Sequence, residues 1–276
     1  MVCVWAPTER SATAALEGGR VVVLPAGFAL HPDELTLRNP ALLGGSKNIS
    51  LTPDRMLKHA AGPAVVRLRL KTMMARFAAF ARDTVEALAP HYRGALIRGR
   101  TSFRPAEIEG RTVSALKDDT RLHVDAFPAN PTRGKRILRV FANVHSHAPR
   151  HWRTGEPFAE MAARFLPELT PNPPIVNALY AAVGATKGRR SAYDDLMLGL
   201  HDGAKRDLAY QAESPKKPLS FAAGTVWVCY TDVVMHAALK GQYALEQTFL
   251  LPVEAMAEPE QSPLRILEQM TGKKLV

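Results

Sequence analysis

A chain of 276 residues, 46% hydrophobic and 22% charged, has apolar mass for a buried core, which excludes a disordered polyelectrolyte or a fibrous repeat. Two cysteines, Cys3 and Cys229, are too few for a secreted disulfide framework. The excess of 36 Lys+Arg over 26 Asp+Glu, a formal charge of +10, points to an anionic partner: nucleic acid, an acidic membrane surface or a phosphorylated substrate.

Met1 to Arg10 lacks the basic stretch and apolar core of a signal peptide, and the apolar run that follows, residues 21–30, is broken by Pro25 and Gly27. That run is well short of the ~20 residues a spanning helix needs. A soluble or peripherally attached cytoplasmic protein is expected. Within the run, Val21 to Leu24 predicts a strand, and residues 31–56, rich in Pro, Gly, Asn and Ser, predict an ordered loop or binding segment. Over residues 66–88 Leu70, Met73, Met74, Phe77, Phe80, Ala81, Val85 and Leu88 fall at helical spacing, as in a core-packing helix.

Beyond residue 120 the character changes. Residues 121–125, 136–145, 225–230 and 242–253 predict short strands, punctuated by Gly134, Gly155, Gly224 and Gly241. Between the second and third of these, residues 158–166, 175–183 and 191–208 predict helices, the last with Ser191 as N-cap and Asp194 three positions on. Strand pairs separated by a helical insertion imply a mainly β fold with surrounding helices, closed or sandwich-like, rather than a βαβ repeat. No linker divides the chain, so one domain is expected over residues 1–276. Residues 1–100 would be a helical and loop elaboration, residues 101–256 the β core, and residues 157–210 the helical insertion.

Chemistry concentrates in Arg121-Leu122-His123-Val124-Asp125. Strand alternation would put His123 and Asp125 on one face about 7 Å apart, close enough to share a metal between imidazole and carboxylate. A distant histidine would complete a 2-His-1-carboxylate set, which binds Fe(II) and leaves positions open; His236, after a β-type run, is the candidate. The pattern alone also suits a hydrogen-bonded pair at a strand end and a satisfied core histidine. His145, His147 and His151 form a second cluster with no carboxylate or cysteine beside it, and predict an exposed turn rather than a zinc site. Cys229, between Val228 and Tyr230, predicts a buried small hydrophobe.

The stretch Asp118 to Pro128, with His123 and Asp125 inside it, then Gly134 to Phe141, Trp152 to Phe158, and Tyr230 through His236 to Phe249, together resemble the Kdo hydroxylases. These are Fe(II)/2-oxoglutarate dioxygenases acting on the 3-deoxy-D-manno-octulosonic acid sugar of lipopolysaccharide. The resemblance runs from about Thr101 to Val253. It implies a double-stranded β-helix, a jelly roll of the cupin type, with iron held by His123, Asp125 and His236. It further implies 2-oxoglutarate and dioxygen as cosubstrates, and hydroxylation at C3 of the sugar in a Kdo-bearing lipid A precursor. The basic charge then fits peripheral attachment to the anionic inner face of the inner membrane.

Many 2-oxoglutarate oxygenases carry a basic residue about ten positions after the second histidine to grip the cosubstrate's far carboxylate, but here that position is Glu246. Strand parity offers a substitute. In residues 137–144 one face is Leu138, Val140, Ala142 and Val144, so Arg139 lies on the other with Phe141 and Asn143. An arginine buried there needs a carboxylate, from 2-oxoglutarate or from the protein itself. Arg139 is the expected anchor, and Arg136 the residue reaching solvent where the strand begins. Arg104 and Arg153, each beside an aromatic residue, rank above Arg111, Arg121 and Arg150 as substrate contacts. Two other readings fit the residues: a cupin-like metal protein without 2-oxoglutarate chemistry, or a basic nucleic-acid-binding protein. The latter lacks a helix-turn-helix, zinc-finger or RNP pattern.

Overall fold

The computed structural model describes residues 2–4, 9–24 and 27–276, with side chains from residue 12 onward. Pro25 and the side chains of Met1 to Arg10, Cys3 among them, lie outside the described residues. The elements in chain order are β1 (Val2–Val4), α1 (Glu9–Glu17), β2 (Val21–Leu24), β3 (Ile49–Leu51), β4 (Leu57–Lys58), α2 (Ala64–Leu88), β5 (Ile97–Arg104), β6 (Arg136–Asn143) and β7 (Arg150–Thr154). The helices α3 (Phe158–Phe165), α4 (Pro174–Ala182), α5 (Ala192–Arg206) and α6 (Leu208–Glu213) follow, then β8 (Lys217–Phe221), β9 (Val226–Tyr230), β10 (His236–Lys240), β11 (Ala244–Leu251) and α7 (Pro263–Thr271).

The strands form two sheets, one ordered β1-β2-β9-β6-β11-β5-β3-β4 and one ordered β10-β7-β8. All pairings are antiparallel except β1 with β2. Facing sheets of this kind form a jelly roll, whose inner faces pack together and leave one mouth for a site. The central strand β6 is buried along its whole length, Arg136, Arg139 and Asn143 included. On its inner face Phe141 stacks on Trp227 of β9 and meets Trp152 of β7 edge-on, locking the two sheets together. The expected parity holds: Arg139 lies on that inner face with Phe141.

Helix α2 covers the large sheet with Leu70, Met73, Met74, Phe77, Ala81, Val85 and Leu88, all buried, so its Met and Phe stripe is core as predicted. The insertion between β7 and β8 contains α3 to α6. Its α5 starts on the predicted capping box, where the Ser191 side chain accepts from Asp194 N and Asp194 closes back on Ser191 N.

Three expectations need correction. Residues 1–100 are more than an elaboration, because β2, β3 and the first half of β5 are integral to the large sheet. Residues 121–125 are not a strand; a single bridge, His123 to His236, is their only ladder contact among the described residues. Arg136 does not reach solvent. It is 0% exposed and grips Asp232 through Nε to Oδ2 at 2.8 Å and Nη2 to Oδ1 at 3.2 Å, with Tyr230 beneath the guanidinium. A strand residue that ends beside a buried carboxylate gains a fork-to-fork pair that solvent cannot equal.

Candidate active site

The segment 121–125 is held extended by polar tethers instead of a ladder. Gln211 of α6 accepts from Leu122 N at 2.9 Å through its Oε1 and donates to Leu122 O at 2.9 Å through its Nε2, doing for one residue what a neighbouring strand would do. His123 and His236 then exchange both backbone hydrogen bonds, at 3.0 and 2.9 Å, as a directly opposed antiparallel pair. Their rings therefore emerge on the same side, with centroids 4.6 Å apart. Asp125 is fixed by its own N–H to Thr231 O at 2.7 Å.

Ligand atoms of His123, Asp125 and His236 all lie within 4.8 Å of one another. His123 Nδ1 is 2.7 Å from Arg121 O and His236 Nδ1 is 2.8 Å from Val234 O. A carbonyl only accepts, so each Nδ1 carries the hydrogen and each Nε2 keeps its lone pair toward the cluster. The Trp152 ring stacks on His236 at 5.3 Å and fixes its plane, while His201 of α5 meets His123 edge-on. Burial, foremost, holds both imidazoles below the ordinary histidine range, and for His123 the facing His236 adds to it. The Asp125 carboxyl, opposed by its own burial, is held well below the usual range chiefly by the Arg139 guanidinium. Two neutral imidazoles and one carboxylate on one side of a cleft form a donor set that suits a divalent transition metal with free positions opposite.

That cleft has a volume of about 620 Å³, with His123, Asp125, Arg104 and Arg139 in its wall. A recess of about 50 Å³ shares those four residues and runs in to Arg150, Trp152 and His236.

The arginines divide differently from the expectation. Arg139 is engaged by the protein at both ends, Nη2 lying 3.1 Å from Asp125 Oδ2 and Nη1 2.9 Å from Glu246 Oε1. Its guanidinium thus pairs with two protein carboxylates, and Glu246 is one of them because β11 runs beside β6 and carries it inward. Arg104 donates to the other Glu246 oxygen through Nε and Nη2, at 3.1 and 3.0 Å, and lies in the cleft wall. Arg153 is exposed on the outer face of β7 and does not line the cleft or the recess, because alternation sends it away from Arg150 and Trp152.

Arg150, ranked low from the sequence, is the notable cation. It is buried at the end of the recess, its Nη1 donating to Gly241 O at 3.1 Å, its Nε without a partner and no carboxylate paired with it among the described residues. Burial, with Arg104 the nearest like charge, pushes its pKa down to about 9. Gly241 has φ +126°, and a Cβ there would lie 3.1 Å from the Arg150 backbone, so only glycine allows this approach. Lys205 of α5 is a second such group: 2% exposed, its Nζ donating to Leu116 O at 3.1 Å, in the cleft wall and free of any ion pair among the described residues. Neither was legible by motif. The available signal was Arg150 in phase with Trp152 on β7.

Of the second histidine cluster, His145 and His147 lie in the predicted turn, in which His145 Nδ1 accepts from His147 N and Ala148 N, whereas His151 belongs to β7 and pairs across to β8 and β10. Cys229 is fully buried, and its thiol is pushed up by burial. Among the described residues no helix is long and apolar enough to cross a membrane.

The family model described as 3-deoxy-D-manno-oct-2-ulosonic acid (Kdo) hydroxylase matches residues 4–274. No match was found among curated proteins. Among solved structures, the apo form of the Kdo hydroxylase KdoO, a non-heme Fe(II) alphaketoglutarate dependent dioxygenase, superimposes with a TM-score of 0.95 at 43% identity, covering 100% of this chain and 97% of that one. Its complex with alphaketoglutarate and Fe(III) gives the same TM-score, identity and coverage. Its cobalt(II) complex matches with a TM-score of 0.95 at 44% identity over the same shares. With a match along nearly its whole length and the jelly roll in common, the chain belongs to the Kdo hydroxylase family.

Proposed function

We propose that the chain is an Fe(II)/2-oxoglutarate-dependent hydroxylase of the Kdo sugar, built as one domain over residues 1–276, with the new hydroxyl at C3 of the sugar in a lipid A precursor. The observation that carries this is the convergence of two Nε2 lone pairs and the Asp125 carboxylate in the wall of a cation-rich recess that opens on the cleft. His123, Asp125 and His236 would hold the iron. When bound, iron would activate dioxygen, which is the oxidant: dioxygen and 2-oxoglutarate are consumed, succinate and carbon dioxide leave, and a C–H bond becomes C–OH.

The protein's own residues do the positioning. Arg139 neutralises and orients Asp125, so that this carboxylate stays ionised and correctly turned. Glu246 in turn holds Arg139 and Arg104 in place. We assign Arg150, rather than Arg139, to the far carboxylate of 2-oxoglutarate, because it is the buried guanidinium in the recess with no carboxylate of its own among the described residues. Lys205, similarly uncompensated, suits the sugar's carboxylate, with Arg104 as a neighbour in the cleft wall. The tight recess behind His236, closed by Phe141 and Trp152, excludes bulk water. Peripheral attachment to the inner face of the inner membrane agrees with the formal charge of +10.

Mass spectrometry of a Kdo-bearing acceptor tests the reading. A gain of one oxygen that requires both iron and 2-oxoglutarate is expected, and is lost in His123→Ala and Asp125→Ala with the fold intact. A gain of oxygen in either variant, or none in the wild type, refutes it; a metal-dependent change without succinate release would favour a cupin-like activity.

A further inference from the structure

Helix α4 has its polarity inverted. In Pro174–Ala182 the asparagine, Asn177, is 2% exposed, whereas Ile175, Leu179 and, one residue beyond the helix, Val183 are 77%, 58% and 67% exposed. Spacing by four puts these three on one outward stripe. The inner side is tied down by polar bonds instead of apolar packing: Asn177 Nδ2 donates to Asp195 Oδ2 at 2.6 Å, and Asn172 also donates to Asp195. A helix in contact with water alone gains nothing from this arrangement, since each exposed aliphatic side chain forgoes its transfer free energy.

From this arrangement we infer that the Ile175-Leu179-Val183 face of α4 is a membrane-docking surface that inserts among the headgroups of an anionic bilayer. Charge favours that occupant. The helix runs directly into Lys187 and Arg189, both exposed, on a chain whose formal charge is +10. Anionic headgroups attract such a rim, whereas a second copy of the chain would oppose it with like charge. Position favours it as well. Lys187 lines the catalytic cleft, and its N–H donates to Ala129 O at 2.8 Å, in the loop that forms the cleft's edge. A bilayer seated on α4 would thus lie beside the mouth through which a lipid-linked sugar must enter. The inference deepens the proposed function and rests on it only for that last step.

The test uses full-length protein and vesicles of phosphatidylethanolamine and phosphatidylglycerol at 3:1, with Ile175→Ser/Leu179→Ser/Val183→Ser as the variant. Wild type should cosediment at low salt, and the variant should lose at least about a hundredfold in partitioning, since three aliphatic insertions are removed. Its Tm and its turnover of a water-soluble Kdo saccharide should match wild type. As a second readout, Tyr180→Trp should shift its emission to the blue on adding vesicles. Unchanged vesicle binding in the triple variant, or wild type indifferent to vesicles, overturns the inference while leaving the hydroxylase reading untouched. So does a wild-type dimer in light scattering that the triple variant dissociates, which would make a second copy the occupant. Vesicle binding without Kdo hydroxylation would instead overturn the activity and keep the surface.

Discussion

Replacing Arg150 with methionine separates two readings of the site's arginines by sign as well as size. The Arg150 guanidinium is buried with one hydrogen bond, to Gly241 O, and a partnerless Nε. Arg150→Met keeps the stem's volume and removes an uncompensated charge, so the protein without cosubstrate should keep or raise its Tm. If the far carboxylate of 2-oxoglutarate normally makes a forked pair with this residue, two charge-assisted bonds of about 1.5–3 kcal/mol each are lost. Affinity then falls by roughly 10²–10⁴-fold, with the metal-chelating end still engaged. Titration calorimetry of 2-oxoglutarate into cobalt-loaded protein reads this without turnover. Arg139→Met should behave oppositely: it strands Asp125 as a buried carboxylate and leaves Glu246 with Arg104 alone, a loss of about 3–5 kcal/mol in stability, and weakens the metal first. Wild-type affinity for 2-oxoglutarate in Arg150→Met would refute the reasoning, as would an Arg139→Met protein of normal Tm that had lost only the cosubstrate.

Arg136→Met should lower Tm by roughly 10 °C in calorimetry by leaving Asp232 buried and unpaired, while Arg136→Met/Asp232→Leu recovers most of it; a single variant as stable as wild type would deny the pair its role. Gln211→Leu, which removes both tethers of Leu122, should weaken cobalt binding about 10–100-fold in an absorption titration, and an unchanged affinity would show that the extended segment holds itself. Burial lowers the Lys205 pKa below the ordinary lysine value, with Asp119 opposing, so its ammonium is present at low pH and lost as pH rises through that lowered value. kcat/KM for the sugar should therefore fall on the alkaline side in wild type, and Lys205→Arg, which keeps its charge, should move that fall to higher pH. The same alkaline limb in both proteins would remove Lys205 from sugar binding.

Much of the fold was legible because local pattern and final environment agree. The α2 stripe, the Ser191 capping box and the apolar runs of β6, β9 and β11 are dictated by periodicity, and each lands in the environment its pattern describes. Strands β5, β7 and β8 were hidden because Ile97–Arg104, Arg150–Thr154 and Lys217–Phe221 carry charged residues or a proline; Pro218 is tolerated because β8 is an edge strand. The His-x-Asp spacing and the distant histidine were visible as residue types. Their meeting was not, since it depends on a two-bond bridge between His123 and His236 and on Gln211, 89 residues from Leu122.

The sequence alone determined the donor types, the β core with its helical insertion and the positive charge, because these follow from composition and short-range pattern. Only the tertiary structure decided which arginine is spent on a protein carboxylate and which is left over. Arg139, Arg136 and Arg104 find Asp125, Asp232 and Glu246 across neighbouring strands and loops, and Arg150 finds no carboxylate among the described residues. Charge pairing in a low-dielectric interior is set by distances of a few ångströms between residues up to 142 apart in the chain, and no local pattern encodes that.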